Sequence, residues 1–372
     1  MLNITVKSIR TTVLFVSTIF IISCQKETTK TPVAQEEIAS KAIAPQNLKD
    51  FTQVNLVGDN DEYAPARIDP TLINAWGISF PASGPAWVSA EGAGKSLVLN
   101  GDGTPVAISP VTIPPAGPLP SSHPTGQVFN GTADFKLPNG NPARFIFATA
   151  EGGVSGWNGG ATAVKKVDAF PNAAFLGIAI ANDAGNNFLY VANFAQGKIN
   201  VYDKNWVEAS KSFMDPDIPA GYAPFNIQAI DNKLYVMYAK VNTVEGDEEA
   251  GPGLGYVDIF NPNGTLDKRF ISRGQLNAPW GIAKAPAGFW GEGSENTNVF
   301  LVGNFGDGRI NAFDENGNFI GQLRQHGNPI IIEGLWGIAF APSTSTAINR
   351  NWLYFAAGPD DEKHGLFGYI KK

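Results

Sequence analysis

Several things that would define a function are scarce in this chain. One cysteine and three histidines in 372 residues are too few for a disulfide framework or a Cys/His zinc module. Lys and Arg number 27 against 34 Asp and Glu, so no basic excess offers a nucleic-acid footprint. The net charge of −7 is too small to mark an acidic disordered chain. No apolar run reaches the roughly 20 residues that a permanent spanning helix needs, and no long helical period is present. What remains is 43% hydrophobic and 11% aromatic, with 41 Gly and 26 Pro, the balance of a folded, turn-rich globular chain.

The N-terminus reads as an address. Lys7 and Arg10 precede a short apolar stretch from Val13 to Ile22, the arrangement of a secretory signal peptide. The stretch ends Ile21-Ile22-Ser23-Cys24 and resembles the bacterial lipobox. That resemblance implies removal of residues 1–23, lipidation of Cys24 and attachment to a membrane. The only thiol is then consumed, so redox chemistry is not expected. Gln25 rather than Asp follows the cysteine, which implies a bacterial cell envelope location at the outer membrane or cell surface. Residues 24–50 are polar and small, with no sustained apolar period, and read as a flexible tether.

The rest of the chain, residues 51–372, repeats one pattern. Its clearest copies are Ala75-Trp76-Gly77-Ile78, Pro279-Trp280-Gly281-Ile282 and Leu335-Trp336-Gly337-Ile338. Leu176-Gly177-Ile178 and Phe225-Asn226-Ile227 are weaker copies, and Thr125-Gly126-Gln127 halves an interval that would otherwise be doubled. Six anchors about fifty residues apart result. After each come two further runs of β-branched and aromatic residues bounded by Gly, Asn and Asp, such as Phe188–Phe194 and Gly197–Asp203, which is strand chemistry. Asn263-Gly264 and Asn316-Gly317 sit where tight hairpins need positive φ. A fourth, less apolar strand completes each unit. The sequence therefore predicts an all-β fold: a six-bladed β-propeller of four-stranded antiparallel blades in one domain. The last repeat stops after its third strand, and Phe51–Val57 is expected to supply its fourth. Glycine at the anchor gives room near the axis, and the Trp before it is expected to fill the wedge between blades.

These repeats, with Trp-Gly-Ile and Val-Ala-Asn-Phe segments, resemble the NHL-type six-bladed propellers, and more closely a family of exported bacterial proteins of that fold. His123–Thr132, Phe145–Asn158, Asn193-Phe194 and Asn304-Phe305 carry the likeness. A more distant similarity, of architecture alone, is to lactonase and gluconolactonase propellers, which implies a Ca2+ held at the axis by Glu, Asn and Asp.

Repeat position predicts one ringed face, formed where the chain enters each inner strand and turns from second to third strand. Asn74 and His123 enter; Glu91, Glu151, Asn193, Lys240, Asn304 and Asp360 turn. Glu91, Glu151, Asn193 and Asn304 are oxygen donors that could converge on calcium. In the alternative, Asn and Glu beside Gly satisfy local backbone groups. Ser155 lacks a nucleophile-elbow spacing, and His123, His326 and His364 are isolated. The acidic run Glu245–Glu249 lengthens the loop from Val241 to Gly253 and reads as a solvated insertion. Trp76, Trp280 and Trp336 could stack a sugar if exposed. The leading expectation is a lipid-anchored monomer that binds a protein or glycan ligand on this face, with no nucleic-acid partner. The rival is a calcium-dependent, lactonase-like hydrolase with Glu91 or Glu151 as base.

Overall fold

The computed structural model describes residues 48–291 and 294–372. The signal peptide over 1–23, Cys24 and the tether up to residue 47 lie outside the described residues. Six antiparallel sheets succeed one another along the chain as blades. Blade 1 comprises Ala75–Ser79, Ala86–Ala90, Lys95–Leu99 and Val111–Thr112. Blade 2 comprises Pro124–Phe129, Phe145–Thr149, Gly153–Trp157 and Val164–Asp168. Phe175–Asp183, Asn186–Asn193 and Lys198–Asp203 make blade 3. Blade 4 holds Tyr222–Ile230, Lys233–Val241, Tyr256–Phe260 and Leu266–Ser272. Blade 5 holds Pro279–Lys284, Val299–Asn304, Ile310–Asp314 and Phe319–Gln322. Blade 6 is formed by Leu335–Phe340, Leu353–Ala357 and Leu366–Lys371.

The fourth strand of blade 6 is Thr52–Gly58, antiparallel to Leu366–Lys371 with Val54 opposite Tyr369. The chain ends thus close the ring as the repeat predicts, and two open edges disappear. Leu48 is already buried in the core between blades 5 and 6. Blade 3 departs from four strands. Beyond Lys198–Asp203 only one bridge, Tyr202 with Glu208, continues the sheet, and Pro216 and Pro219 follow, neither able to donate to a ladder. At the Asn263-Gly264 and Asn316-Gly317 turns only the glycines take positive φ, +96° and +85°.

The runs are almost uninterruptedly apolar because both sides of each blade are covered. Leu189 and Val191 enter the core shared with blade 2, while Tyr190 and Ala192, pointing the other way, enter the core shared with blade 4. Similarly, Leu234, Val236 and Tyr238 face blade 3, and Tyr235 and Met237 face blade 5. Ile78, Ile178, Ile227, Ile282 and Ile338, one after the anchor, join five of these inter-blade cores. Blade 2 has Gln127 there, whose amide donates to Gly77 O and accepts from Ser96 Oγ.

The anchors are glycine because neighbouring inner strands nearly touch. A Cβ on Gly77 would lie 2.5 Å from Thr125 O, and one on Gly337 would lie 2.6 Å from Trp76 O. At the fourth anchor, Asn226 uses its side chain to donate to Trp280 O of blade 5 at 2.7 Å. Every inner strand also shifts register at its anchor, and the bulge turns the preceding residue toward the axis. Trp76, Leu176, Phe225, Trp280 and Trp336 accordingly form a single cluster drawn from five blades. The wedge role expected of these tryptophans is corrected: the inter-blade wedges are filled by the isoleucines, and the tryptophans plug the axis.

Candidate ligand-binding face

We call the face on which the chain enters the inner strands the upper face. The aromatic plug lies directly beneath it. Trp336 stacks on Trp76 at 3.6 Å and on Phe305 at 4.0 Å, and Trp280 meets both tryptophans edge-on. Trp76, Trp280 and Trp336 are 6%, 5% and 1% exposed, so none offers a free ring face to a sugar.

Above the plug, Asn74 is the hub of a polar network. It sits at φ +48°, a left-handed conformation that Asn tolerates better than most residues. Its Oδ1 accepts from Trp336 Nε1 at 3.1 Å, and its Nδ2 donates to Glu91 Oε2 at 3.0 Å and Glu362 Oε2 at 2.6 Å. Blades 1 and 6 are tied together by these bonds. The other oxygen of Glu91 accepts from His123 Nδ1 of the blade 2 approach at 2.7 Å. Glu151 accepts from the backbone amides of Ala116 and His123 at 3.2 and 3.1 Å.

Electrostatics follow this crowding. The hydrogen bond to Glu91, helped by the charges of Glu91 and Glu151, raises the His123 imidazole above its ordinary value against the opposing effect of burial. Burial pushes Glu248 up to about 8, with the charges of Glu362 and Asp247 adding to the shift. Glu362 is raised mainly by burial, opposed by its bond from Asn74 and reinforced by Glu91, Asp247 and Asp361. The charges of Glu248, Asp247 and Glu362 thus act on one another. Far from being wholly solvated, the acidic run of the blade 4 insertion pairs back on the blade: Glu248 lies opposite Val241 and Glu249 opposite Lys240.

A His123→Gln variant tests the rim. Protonated His123 stabilises the fold fully below the ordinary imidazole range, and this contribution disappears as pH rises through the raised value. The melting-temperature deficit of the variant is thus expected to be largest near pH ~5.5 and to shrink toward pH ~8.5. Circular dichroism melts across that range check it; a deficit independent of pH contradicts it.

The remaining candidates have local roles. Asn193 Oδ1 accepts from the amides of Ala174 and Gln196, and its Nδ2 donates to Gln196 and Asn200. Asn304 donates to Gln275 O and Asp307, leaving its own buried Oδ1 without a partner. Lys240 pairs with Glu249 at 2.6 Å, and exposed Asp360 accepts a pair from Lys363. Glu91, Glu151, Asn193 and Asn304 are not gathered on one point by any of these bonds. Glu151 and Asn193 give oxygens to backbone amides, whereas Asn304 Oδ1 does not. Among the described residues no group of three or more His, Cys, Asp or Glu forms a metal-binding cluster. Ser155 is buried within its strand. His364 Nδ1 lies 2.8 Å from Asp59 Oδ2, and His326 sits in a turn at φ +50°. Glu362 was not among the residues that repeat position picks out. Its signal was the acidic stretch Asp360-Asp361-Glu362, which takes three successive left-handed conformations and carries the third carboxylate inward.

No family model matches the chain. Uncharacterized protein R648 of Acanthamoeba polyphaga mimivirus is 35% identical over 344 residues, covering 86% of this chain and 80% of the viral protein. The chain belongs to the R648 family. A second mimivirus member, uncharacterized protein L690, is 33% identical and covers 86% of each chain. Among solved structures, a catalytically inactive virginiamycin B lyase from Staphylococcus aureus with quinupristin superposes with TM-score 0.50 at 12% identity, covering 87% of this chain and 99% of that one. A protein of unknown function from Bacteroides thetaiotaomicron gives 0.51 at 9% identity, over 81% and 70%. At such identities the structural matches show that the R648 family shares the propeller fold with these proteins, and nothing of its chemistry.

Proposed function

We propose that this R648-family propeller is an exported bacterial lipoprotein, a monomer held to the outer membrane or cell surface through Cys24, that binds a protein ligand with a basic surface on its upper face and does not turn it over. The aromatic plug carries this reading. With the axis filled just beneath the rim, the upper face offers a broad charged surface in place of a deep reaction pocket. Around it stand Asp247, Glu333, Asp360, Asp361 and Glu362, and Val244 projects from the blade 4 insertion with 91% of its surface exposed. Acidic rims of this kind steer cationic partners and fix their register. A protein ligand is favoured over a glycan because the three tryptophans suited to stacking are buried.

The test is capture of envelope proteins on the immobilised full chain, compared with a Glu245→Lys/Asp247→Lys/Asp361→Lys variant. A specific partner is expected whose binding weakens with salt and falls about tenfold or more in the variant. Capture indifferent to salt and to charge reversal contradicts the proposal. Cys24→Ala is expected to abolish labelling by radioactive palmitate, and persistent labelling would rule out the anchor.

A further inference from the structure

Below the plug the axis opens again. A cavity of about 320 Å3 lies among the inner strands, from the anchors Gly77, Gly126 and Gly337 to the lower ends at Phe80, Phe340 and Pro342. Trp280 forms part of its lining, so the plug closes its upper end. Ile180, Gln228, Ala229 and Ala339, toward its lower end, are partly exposed, which places the mouth on the face opposite the charged rim.

Its chemistry differs from that of the rim. None of the lining residues carries a charge. A charged guest would shed its hydration with no counter-ion to replace it. Most of the wall is aliphatic or aromatic, yet polar groups are set into it. Ser79 and Trp280 both line the cavity, and the buried Ser79 Oγ and Trp280 Nε1 have no hydrogen-bond partner in the protein. Both atoms are wholly buried and present no surface to the cavity; the side chain that can offer a guest a hydrogen bond is Gln228, a partly exposed lining residue toward the mouth. An apolar wall with a polar side chain near its mouth is the usual composition of a small-molecule site, and the volume falls at the lower end of the range for such pockets.

We infer that the lower end of the axis is a binding site for a compact, neutral molecule with an apolar body and an amide or hydroxyl group. It is separate from the upper face by position and by charge, and so does not depend on the binding role assigned there. The bulk of the guest packs against Ile180, Ala229 and Ala339, and its polar group pairs with the Gln228 carboxamide.

Calorimetric titration of the full chain with 2-naphthamide and with 2-naphthoate, alike in shape and different in charge, tests this. The amide is expected to bind saturably and the carboxylate about tenfold more weakly or worse. Ala229→Trp, which fills the mouth, is expected to abolish amide binding, whereas the rim variant Glu245→Lys leaves it unchanged. Absence of saturable amide binding, equal affinity for the carboxylate, or undiminished binding to folded Ala229→Trp overturns the proposal. Should Ala229→Trp fail to fold, Gln228→Leu decides: weakened amide binding supports the site, and unchanged binding overturns it.

Discussion

Gly77→Ala is expected to destabilise the propeller by about 3 kcal/mol or more, lowering the melting temperature by roughly 6–10 °C. The added methyl group would sit 2.5 Å from Thr125 O and 3.1 Å from Gln127 N of the next blade. Both obstacles are backbone, so no side chain can rotate away. Relief requires the first two inner strands to separate, loosening the Gln127 bonds to Gly77 O and Ser96 and the packing on either side. Gly131→Ala is the matched control: its added carbon meets only the edge of the Phe129 ring, at 3.4 Å, and a change within about 0.5 kcal/mol is expected. Chemical denaturation of both variants checks the pair. Equal stability would mean that the anchor glycines are not there to let inner strands approach.

Trp336→Ala is the second large effect, at about 4 kcal/mol. The side chain is almost wholly enclosed, and removing it deletes the stack with Trp76 and Phe305 and leaves a cavity at the axis, where the surrounding strands are held by their own sheets and cannot collapse into it. Asn74 Oδ1 also loses its donor. Trp336→Phe separates these contributions. A ring still stacks, but the indole N–H is gone, and a cost of about 1–2 kcal/mol is expected. Urea unfolding of both variants measures the difference. If Trp336→Phe costs as much as Trp336→Ala, the hydrogen bond to Asn74 dominates over packing and the plug is secondary.

The blades were legible because each repeats the same demand. Glycine recurs where strands meet, isoleucine recurs where blades meet, and the strand runs are apolar on both faces because both faces are covered. The closing strand was legible for the same reason: Phe51–Val57 had the pattern of the strand that the last repeat lacked. Three features were not legible. The anchor bulges, invisible in the residue pattern, turn Trp76, Trp280 and Trp336 to the axis instead of into the wedges. Left-handed backbone at three consecutive acidic residues, Asp360 to Glu362, cannot be read from their identities, although it carries Glu362 to Asn74. The charge run Glu245–Glu249 looks the same in sequence whether it is solvated or folded back, and its pairing with Lys240 and Val241 depends on the length of the hairpin above blade 4. Of the ringed residues, Asn74, Glu91, His123 and Glu151 were brought together as repeat position suggested, because the approach and turn of adjacent blades share one face. Asn193 and Asn304 serve their own turns.

The upper face as the binding surface is tested most directly by hydrogen–deuterium exchange of the full chain with and without the basic protein that it captures. Protection is expected over Glu91–Gly94, the blade 4 insertion from Val241 to Gly253, and the blade 6 turn from Gly358 to His364, with the lower ends of the inner strands unchanged. Protection confined to those lower ends, with the three rim segments exchanging as in the free protein, would contradict it.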